Sequence, residues 1–145
     1  MKIKVISFEK NNHSPFEMVI RNYKLQMSTR FAIEERFIRR GDSTNEKLQE
    51  LLSTYKNSFI CILDVYGKTM NTREFTQTLL DIEKAGKTVV FVIGPETGFE
   101  KPIKYNFNLL LSLSKMTFSH RIARLLLFEQ IYRTYCYITN HPYNK

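Results

Sequence analysis

His120 and Arg124 stand four residues apart, a spacing that places an imidazole and a guanidinium one turn apart on the same face of a helix. Such a pair can grip a phosphate, and the imidazole can also cap a helix start or move a proton near neutral pH. A solvated or partner-facing charge is the plainer reading for an isolated arginine. Cys61 and Cys136 lie far apart in apolar settings, with no CxxC and no Cys/His cluster at zinc-like spacing; this predicts buried free thiols and no metal site. There is no GxGxxG and no GxxxxGK[ST] to cradle phosphates. No paired-carboxylate, Ser/His/Asp or Cys/His constellation for hydrolysis is present either. What remains is a glycine turn, Gly94-Pro95-Glu96-Thr97-Gly98, directly after an apolar run, and the string Leu113 to Phe118 just ahead of His120.

Strands alternating with helices must position these residues. Residues 2–8 read as a strand, and Pro15 opens a helix through Met27 with Phe16, Val19, Ile20, Tyr23 and Met27 at helical spacing. Phe31 to Ile38 reads as a second strand. Ser43 with Glu46 makes a capping-box pattern before Leu48, Leu51, Leu52 and Tyr55. Residues 59–63 form a buried strand ending at Asp64, before a loop containing Gly67. Asn71 with Glu74 repeats the capping pattern ahead of a helix that Gly86 closes. Thr88 to Ile93 is a further apolar strand; a short helical segment follows the glycine turn, then a strand from Leu109 to Leu113. The last helix runs from about Ser119 to Ile138 and stops before Pro142. Continuous apolar runs at 59–63 and 89–93 suit central strands covered on both faces. The pattern predicts an α/β domain with a largely parallel sheet, in which ligands bind at the carboxyl ends of strands. The loops after Leu63, Ile93 and Leu113 are therefore the segments to watch. The last helix is apolar on more than one stripe, from Ile122 through Ile138, which predicts burial on both sides and hence a homodimer.

A chain of 145 residues suffices for one domain with its own core. None of its apolar runs approaches the roughly 20 residues needed to cross a bilayer, and the N-terminus has no signal-peptide core, so a cytoplasmic, non-membrane protein is expected. The net charge of +8 favours a polyanionic partner, because neutralised phosphates release counterions. Arg36, Arg39, Arg40, Lys68 and Arg73 are candidates to supply that charge.

The chain from residue 59 onward resembles the RlmH family of SPOUT methyltransferases. The resemblance is carried by Leu63-Asp64-Val65-Tyr66-Gly67-Lys68, Phe91-Val92-Ile93-Gly94, and Ser112-Leu113-Ser114-Lys115-Met116-Thr117-Phe118-Ser119-His120. Arg124, Glu129-Gln130-Ile131-Tyr132-Arg133 and Asn140-His141-Pro142-Tyr143 complete it. It implies a fold whose C-terminal segment threads a loop into a trefoil knot, an exception to the unknotted rule. It also implies an S-adenosylmethionine-dependent enzyme that N3-methylates a pseudouridine in large-subunit ribosomal RNA, working on the assembled ribosome. Two departures stand out. The family has two glycines where this chain has Gly94-Pro95, and a proline there removes one backbone N–H. The family ends Tyr-His-Lys, whereas this chain ends Tyr143-Asn144-Lys145. The Ile93-Gly94-Pro95-Glu96 string is also similar to small-subunit rRNA uridine methyltransferases, but those carry an extra N-terminal RNA-binding domain for which this chain has no room.

By the resemblance, Leu63, Gly94 and the run Leu113, Ser114, Lys115, Met116, Thr117 and Phe118 cradle S-adenosylmethionine. Adenine needs an apolar slot among backbone donors and acceptors, which these residues can supply, although simple core packing also accounts for Leu113, Met116 and Phe118. The imide N3 of a pyrimidine-like base keeps its proton at neutral pH, so methyl transfer needs a group to assist its departure. His120 is the candidate, to take the proton or orient the base. Arg124 is the candidate to grip a phosphate or stabilise charge on the base, with Arg133 and His141 as weaker ones of the same sort. Tyr143 is placed to stack on a base. A second reading keeps the fold as a non-catalytic RNA- or ribosome-binding protein, and cofactor binding separates the two.

Overall fold

The computed structural model describes residues 1–9, 14–39, 44–95, 98, 99 and 106–143. Along the chain run β1 (Lys2–Ser7), α1 (Glu17–Met27), β2 (Ala32–Phe37), α2 (Thr44–Thr54), β3 (Phe59–Thr69), α3 (Thr72–Lys84), β4 (Val89–Ile93), β5 (Leu109–Ser112) and α4 (His120–Ile138). The five strands form one parallel sheet in the order β2-β1-β4-β3-β5. The α/β reading with a parallel sheet holds. The Ser43 cap lies outside the described residues, as does most of the helical segment expected after Gly98.

The central position of β4 follows from its composition. All five of its residues are buried, and their alternation sends them to opposite faces. Val89, Phe91 and Ile93 join the core under α1, α3 and α4, with Ile20, Met27, Phe75, Leu79, Leu127, Phe128 and Ile131. Val90 and Val92 join the core on the other face, with Ile6, Ile60, Ile62, Phe99 and the α2 residues Leu48, Leu51 and Leu52. A strand with no polar face has to be covered on both sides, and the helices are divided accordingly.

Local signals fix the helix ends. Asn71 accepts from the Glu74 N–H at 2.8 Å while the Glu74 side chain accepts from the Asn71 N–H at 3.1 Å, completing the expected capping box on α3. Gly86, at φ +70°, closes the same helix: its N–H donates to Glu83 O and that of Lys87 to Ile82 O, the paired bonds of a Schellman turn. Helix α4 ends in the same way at Asn140, φ 54°, with Asn140 N–H to Tyr137 O and His141 N–H to Cys136 O. Asn140 rather than Pro142 stops the helix, and it turns the tail back along α4.

β3 is longer than its apolar run. Its residues 61–63 pair with 109–111 of β5; the chain then bulges, and Lys68 and Thr69 pair with Leu111 and Ser112. Leu111 thus stands opposite both Leu63 and Lys68. In the bulge the Tyr66 N–H donates to Asp64 Oδ1 at 2.8 Å. Gly67 lies directly on the β5 backbone, where an added Cβ would stand 2.6 Å from Leu110 C and O.

Candidate active site

The carboxyl ends of β3, β4 and β5 open into a cleft of about 320 Å³. Leu63, Asp64, Val65 and Tyr66 from the β3 bulge form one wall; Ile93, Gly94, Pro95, Gly98 and Phe99 form a second. Leu111, Leu113, Ser114, Met116, Thr117 and Phe118 form a third, and His120 and Ala123 close it at the start of α4. Of the expected cofactor residues only Lys115 does not line the cleft; it is exposed between two residues that do. Ser114 organises its loop, accepting from the Met116 N–H at its Oγ (3.0 Å) and from Ser112 Oγ at its carbonyl (2.7 Å). At Gly94 there is no room for a side chain. A Cβ there would stand 2.8 Å from Phe99 Cε2, and Phe99 itself is buried against Phe8 with ring centroids 5.2 Å apart. Pro95 is buried in the wall, so the cleft lacks the backbone donor that another residue would offer there.

His120 sits at the rim as the first residue of α4, whose N-cap Ser119 accepts from the Ile122 N–H. Its Nε2 lies 2.9 Å from Glu9 Oε2, and Glu9 is 6% exposed. His120 Nδ1 and Ser7 Oγ are buried without a hydrogen-bond partner among the described residues. Burial pushes the Glu9 carboxyl above its ordinary value, while the charges of His120, Arg124 and Arg121 oppose the rise.

The structure places Arg124 differently from the sequence expectation. It shares a helix face with His120 but does not line the cleft, and its side chain is 1% exposed. Nε and Nη2 donate to Glu35 Oε1 and Oε2 at 2.7 and 2.9 Å, Nη2 also reaches Glu17 Oε1 at 2.9 Å, and Nη1 donates to Glu17 Oε2. The guanidinium also lies 4.9 Å from the centre of the Phe37 ring. Burial disfavours its charge, but the bonds to Glu17 and Glu35 outweigh that and push its pKa further up. With four of its five N–H donors committed to two carboxylates and its side chain buried, the guanidinium is not presented to a phosphate in the cleft. Its place is to tie α4 to α1 and β2.

Tyr143 is likewise not brought to His120. The Asn140 turn lays it back on α4, where its hydroxyl donates to Glu129 Oε1 at 2.9 Å and its ring lies tilted against Tyr132 (5.3 Å) and under Arg133 (4.9 Å). Glu129 is nine residues past His120, about 14 Å along the helix at ~1.5 Å per residue. Arg133 is held by Glu129 at 2.8 Å, and His141 Nδ1 accepts from the Tyr143 N–H at 3.1 Å. Arg36, Arg39, Lys68 and Arg73 are exposed, on different elements; Arg40 lies outside the described residues. The site residues that sequence reasoning missed are Glu9, Asp64, Tyr66 and Phe99. Glu9 carries no motif, and only the parallel pairing of β1 with β4 brings it beside the site. Among the described residues there is no cluster able to hold a metal and no helix long and apolar enough to cross a membrane.

Known proteins match this sequence along nearly its whole length. The family described as "Predicted SPOUT methyltransferase" matches residues 1–144, and the chain belongs to that family. Among its relatives is the protein named "Ribosomal RNA large subunit methyltransferase H" from Acholeplasma laidlawii, 34% identical over 149 residues and covering all of both chains. Proteins of the same name from Campylobacter lari, 32% identical over 155 residues, and Campylobacter concisus, 33% over 156, also align over the full length of both chains.

Proposed function

We propose that this protein methylates large-subunit ribosomal RNA, transferring the methyl group of S-adenosylmethionine to N3 of a pseudouridine. The observation that carries the reading is the cleft at the ends of β3, β4 and β5, lined by seven of the eight residues expected to cradle the cofactor. Its volume of about 320 Å³ lies in the range of small-ligand sites, roughly 300–1,000 Å³. Leu63, Ile93, Leu111, Leu113 and Phe99 offer the apolar slot an adenine needs, and Asp64, the one carboxylate among the described lining residues, has the sign that suits a sulfonium. S-adenosylmethionine supplies an electrophilic methyl group. His120, at the cleft rim, is the residue we assign to assist departure of the N3 proton of the incoming base. Lys115 carries exposed charge at the same loop for the RNA backbone.

The bulge at 64–67, lying on a β5 strand that pairs with both halves of β3, supports reading this crossing as part of a trefoil knot. We read the active form as a cytoplasmic homodimer. Val65, Tyr66, Met116, Phe118 and Ile122 are 39, 79, 75, 38 and 40% exposed around the cleft mouth, an apolar rim that a second copy would cover. Because Tyr143 lies on the far half of α4, any part it takes in transfer would be in the partner's cleft.

Calorimetric titration with S-adenosylmethionine and S-adenosylhomocysteine tests the enzyme reading, with one site per subunit expected. Methyl incorporation into intact ribosomes from a strain lacking this methylation tests the substrate. A folded protein that binds neither nucleoside would refute the reading and leave the non-catalytic ribosome-binding one, which nothing in the cleft favours.

A further inference from the structure

The apolar rim of the cleft comes from the β3 bulge, the loop after β5 and Ile122; the β1–β2 side of the same pole is charged. There the ends of β2, β1 and β4 lie side by side: the Ile38 N–H donates to Ser7 O at 2.8 Å and the Phe8 N–H to Ile93 O at 2.9 Å. Arg39, next after Ile38, therefore stands two strand spacings, about 10 Å, from Gly94 in the cleft wall. Lys47, near the start of α2, donates from Nζ to the Arg39 carbonyl at 3.0 Å, and Arg36 lies three residues back on β2, opposite Ile6. Arg121 comes in from α4 beside His120, whose Nε2 is 2.9 Å from Glu9 Oε2, and its charge is felt at the Glu9 carboxyl. Arg36, Arg39 and Arg121 are exposed, and no ion pair engages them or Lys47 among the described residues. The neighbouring carboxylates face other partners: Glu9 has His120, Glu17 and Glu35 have Arg124, and Glu34 has Lys4 at 3.3 Å, which leaves Glu46 exposed beside Lys47. Helix stability does not account for Arg121, because a cation in a first turn opposes the helix dipole; α4 alone among the described helices has no acidic residue there.

We propose that Arg121, Arg39, Lys47 and Arg36 form a track for the phosphates of the RNA strand that enters the cleft, on the side away from the apolar rim. It rests on the RNA-methyltransferase reading given above. N3 lies on the pairing edge of a pyrimidine-like base, so the base has to leave its stack to reach the cleft. The strand that carries it is then held by its backbone beside the cleft mouth, since phosphate contacts set register and orientation. The span of about 10 Å from Arg39 to the cleft corresponds to about three nucleotides of stacked strand at ~3.4 Å each. The track leaves the apolar rim to a second copy, so RNA and dimer do not compete for one surface. Lys2, Lys56, Lys84 and Lys87 are exposed too, but at the opposite pole, by strand starts and helix ends. Lys84 sits in the last turn of α3, where the dipole favours a cation. These lysines add net charge and offer no route to the cleft.

Co-sedimentation with intact ribosomes lacking the modification, over about 50–200 mM KCl, counts the contacts, because each phosphate contact adds ~0.7–0.9 to the slope of log affinity against log salt. Arg36→Gln/Arg39→Gln/Arg121→Gln should lower that slope by about 2 and weaken binding roughly 100-fold at about 0.1 M salt. Arg36→Lys/Arg39→Lys/Arg121→Lys should keep most of both, because a phosphate also accepts a point charge. Lys2→Gln/Lys84→Gln/Lys87→Gln removes the same charge from the opposite pole, and screening should hold its effect below about threefold. Equal losses in the two glutamine triples would reduce the effect to net charge and overturn the track, as would a parental slope in the first. A photo-cross-linker at position 39 should label ribosomal RNA; labelling of ribosomal protein alone would overturn it as well. S-adenosylmethionine affinity by calorimetry should stay within about twofold in all three variants, the sites being apart. A parent that binds ribosomes but not the cofactor would refute the methyltransferase reading, while the slopes would still decide the track.

Discussion

Replacing Arg124 by methionine separates a structural guanidinium from a substrate-gripping one. The side chain is 1% exposed and donates four hydrogen bonds to two carboxylates, so Arg124→Met keeps the apolar stem and strands Glu35 and Glu17. Breaking a buried ion pair by removing one partner costs about 3–5 kcal/mol. Glu35 keeps Lys24 at 2.8 Å and Glu17 is 23% exposed, which puts the expectation near the lower end, about 3 kcal/mol. For a chain of this size that is a fall in Tm of roughly 6–12 °C. The carboxylates set the pH dependence. Burial raises the Glu17 carboxyl, but its bonds to Arg124 and Ser14 outweigh burial and hold it below its ordinary value. Its contribution is therefore complete above the ordinary carboxylate range and is lost as pH falls through the lowered folded value. The penalty of Arg124→Met should shrink on acidification, and Arg124→Met/Glu17→Gln/Glu35→Met should recover most of it at neutral pH. Urea unfolding of the three proteins at neutral and acid pH makes the measurement. A single variant of parental stability that has nonetheless lost ribosome methylation would refute the structural assignment.

Gly67→Ala forces a Cβ to within 2.6 Å of the Leu110 backbone, which no rotamer change relieves; the loss should equal or exceed the ~1–3 kcal/mol of ordinary overpacking, read as the yield of folded protein and its Tm. Gly94→Ala instead meets the ring of Phe99 at 2.8 Å, so it should weaken S-adenosylmethionine binding, and Phe99→Leu in the same chain should restore part of the affinity by calorimetry. Glu9→Gln should raise Tm at neutral pH, because a carboxyl lifted by burial destabilises the folded state when ionised. That advantage should vanish as pH falls through the raised carboxyl range, where the parent's Glu9 takes up its proton.

Strand and helix periodicity made the sheet legible because β4 is apolar on both faces and α3 carries both its caps in sequence. The cleft was legible for a related reason: Leu63, Gly94 and Leu113 to Phe118 follow directly on strand ends. The second half of β3 was not, since Lys68 and Thr69 have no apolar pattern and pair only because Gly67 allows the chain to lie on β5. Arg124 was misplaced because helix spacing gives the face of a side chain but not what comes to meet it. Glu17 and Glu35 are 107 and 89 residues away. Tyr143 shares the limitation, its position being set by a left-handed Asn140 that nothing upstream announces.

The order β2-β1-β4-β3-β5 also has a consequence for synthesis. β1 finds β2 early, but its other edge waits for β4, about 50 residues further along. At about 5–20 residues per second, that edge stays unpaired for roughly 3–10 s on a translating ribosome. Lys2 and Lys4, the charged residues of β1, are then its protection against pairing with a neighbouring nascent chain.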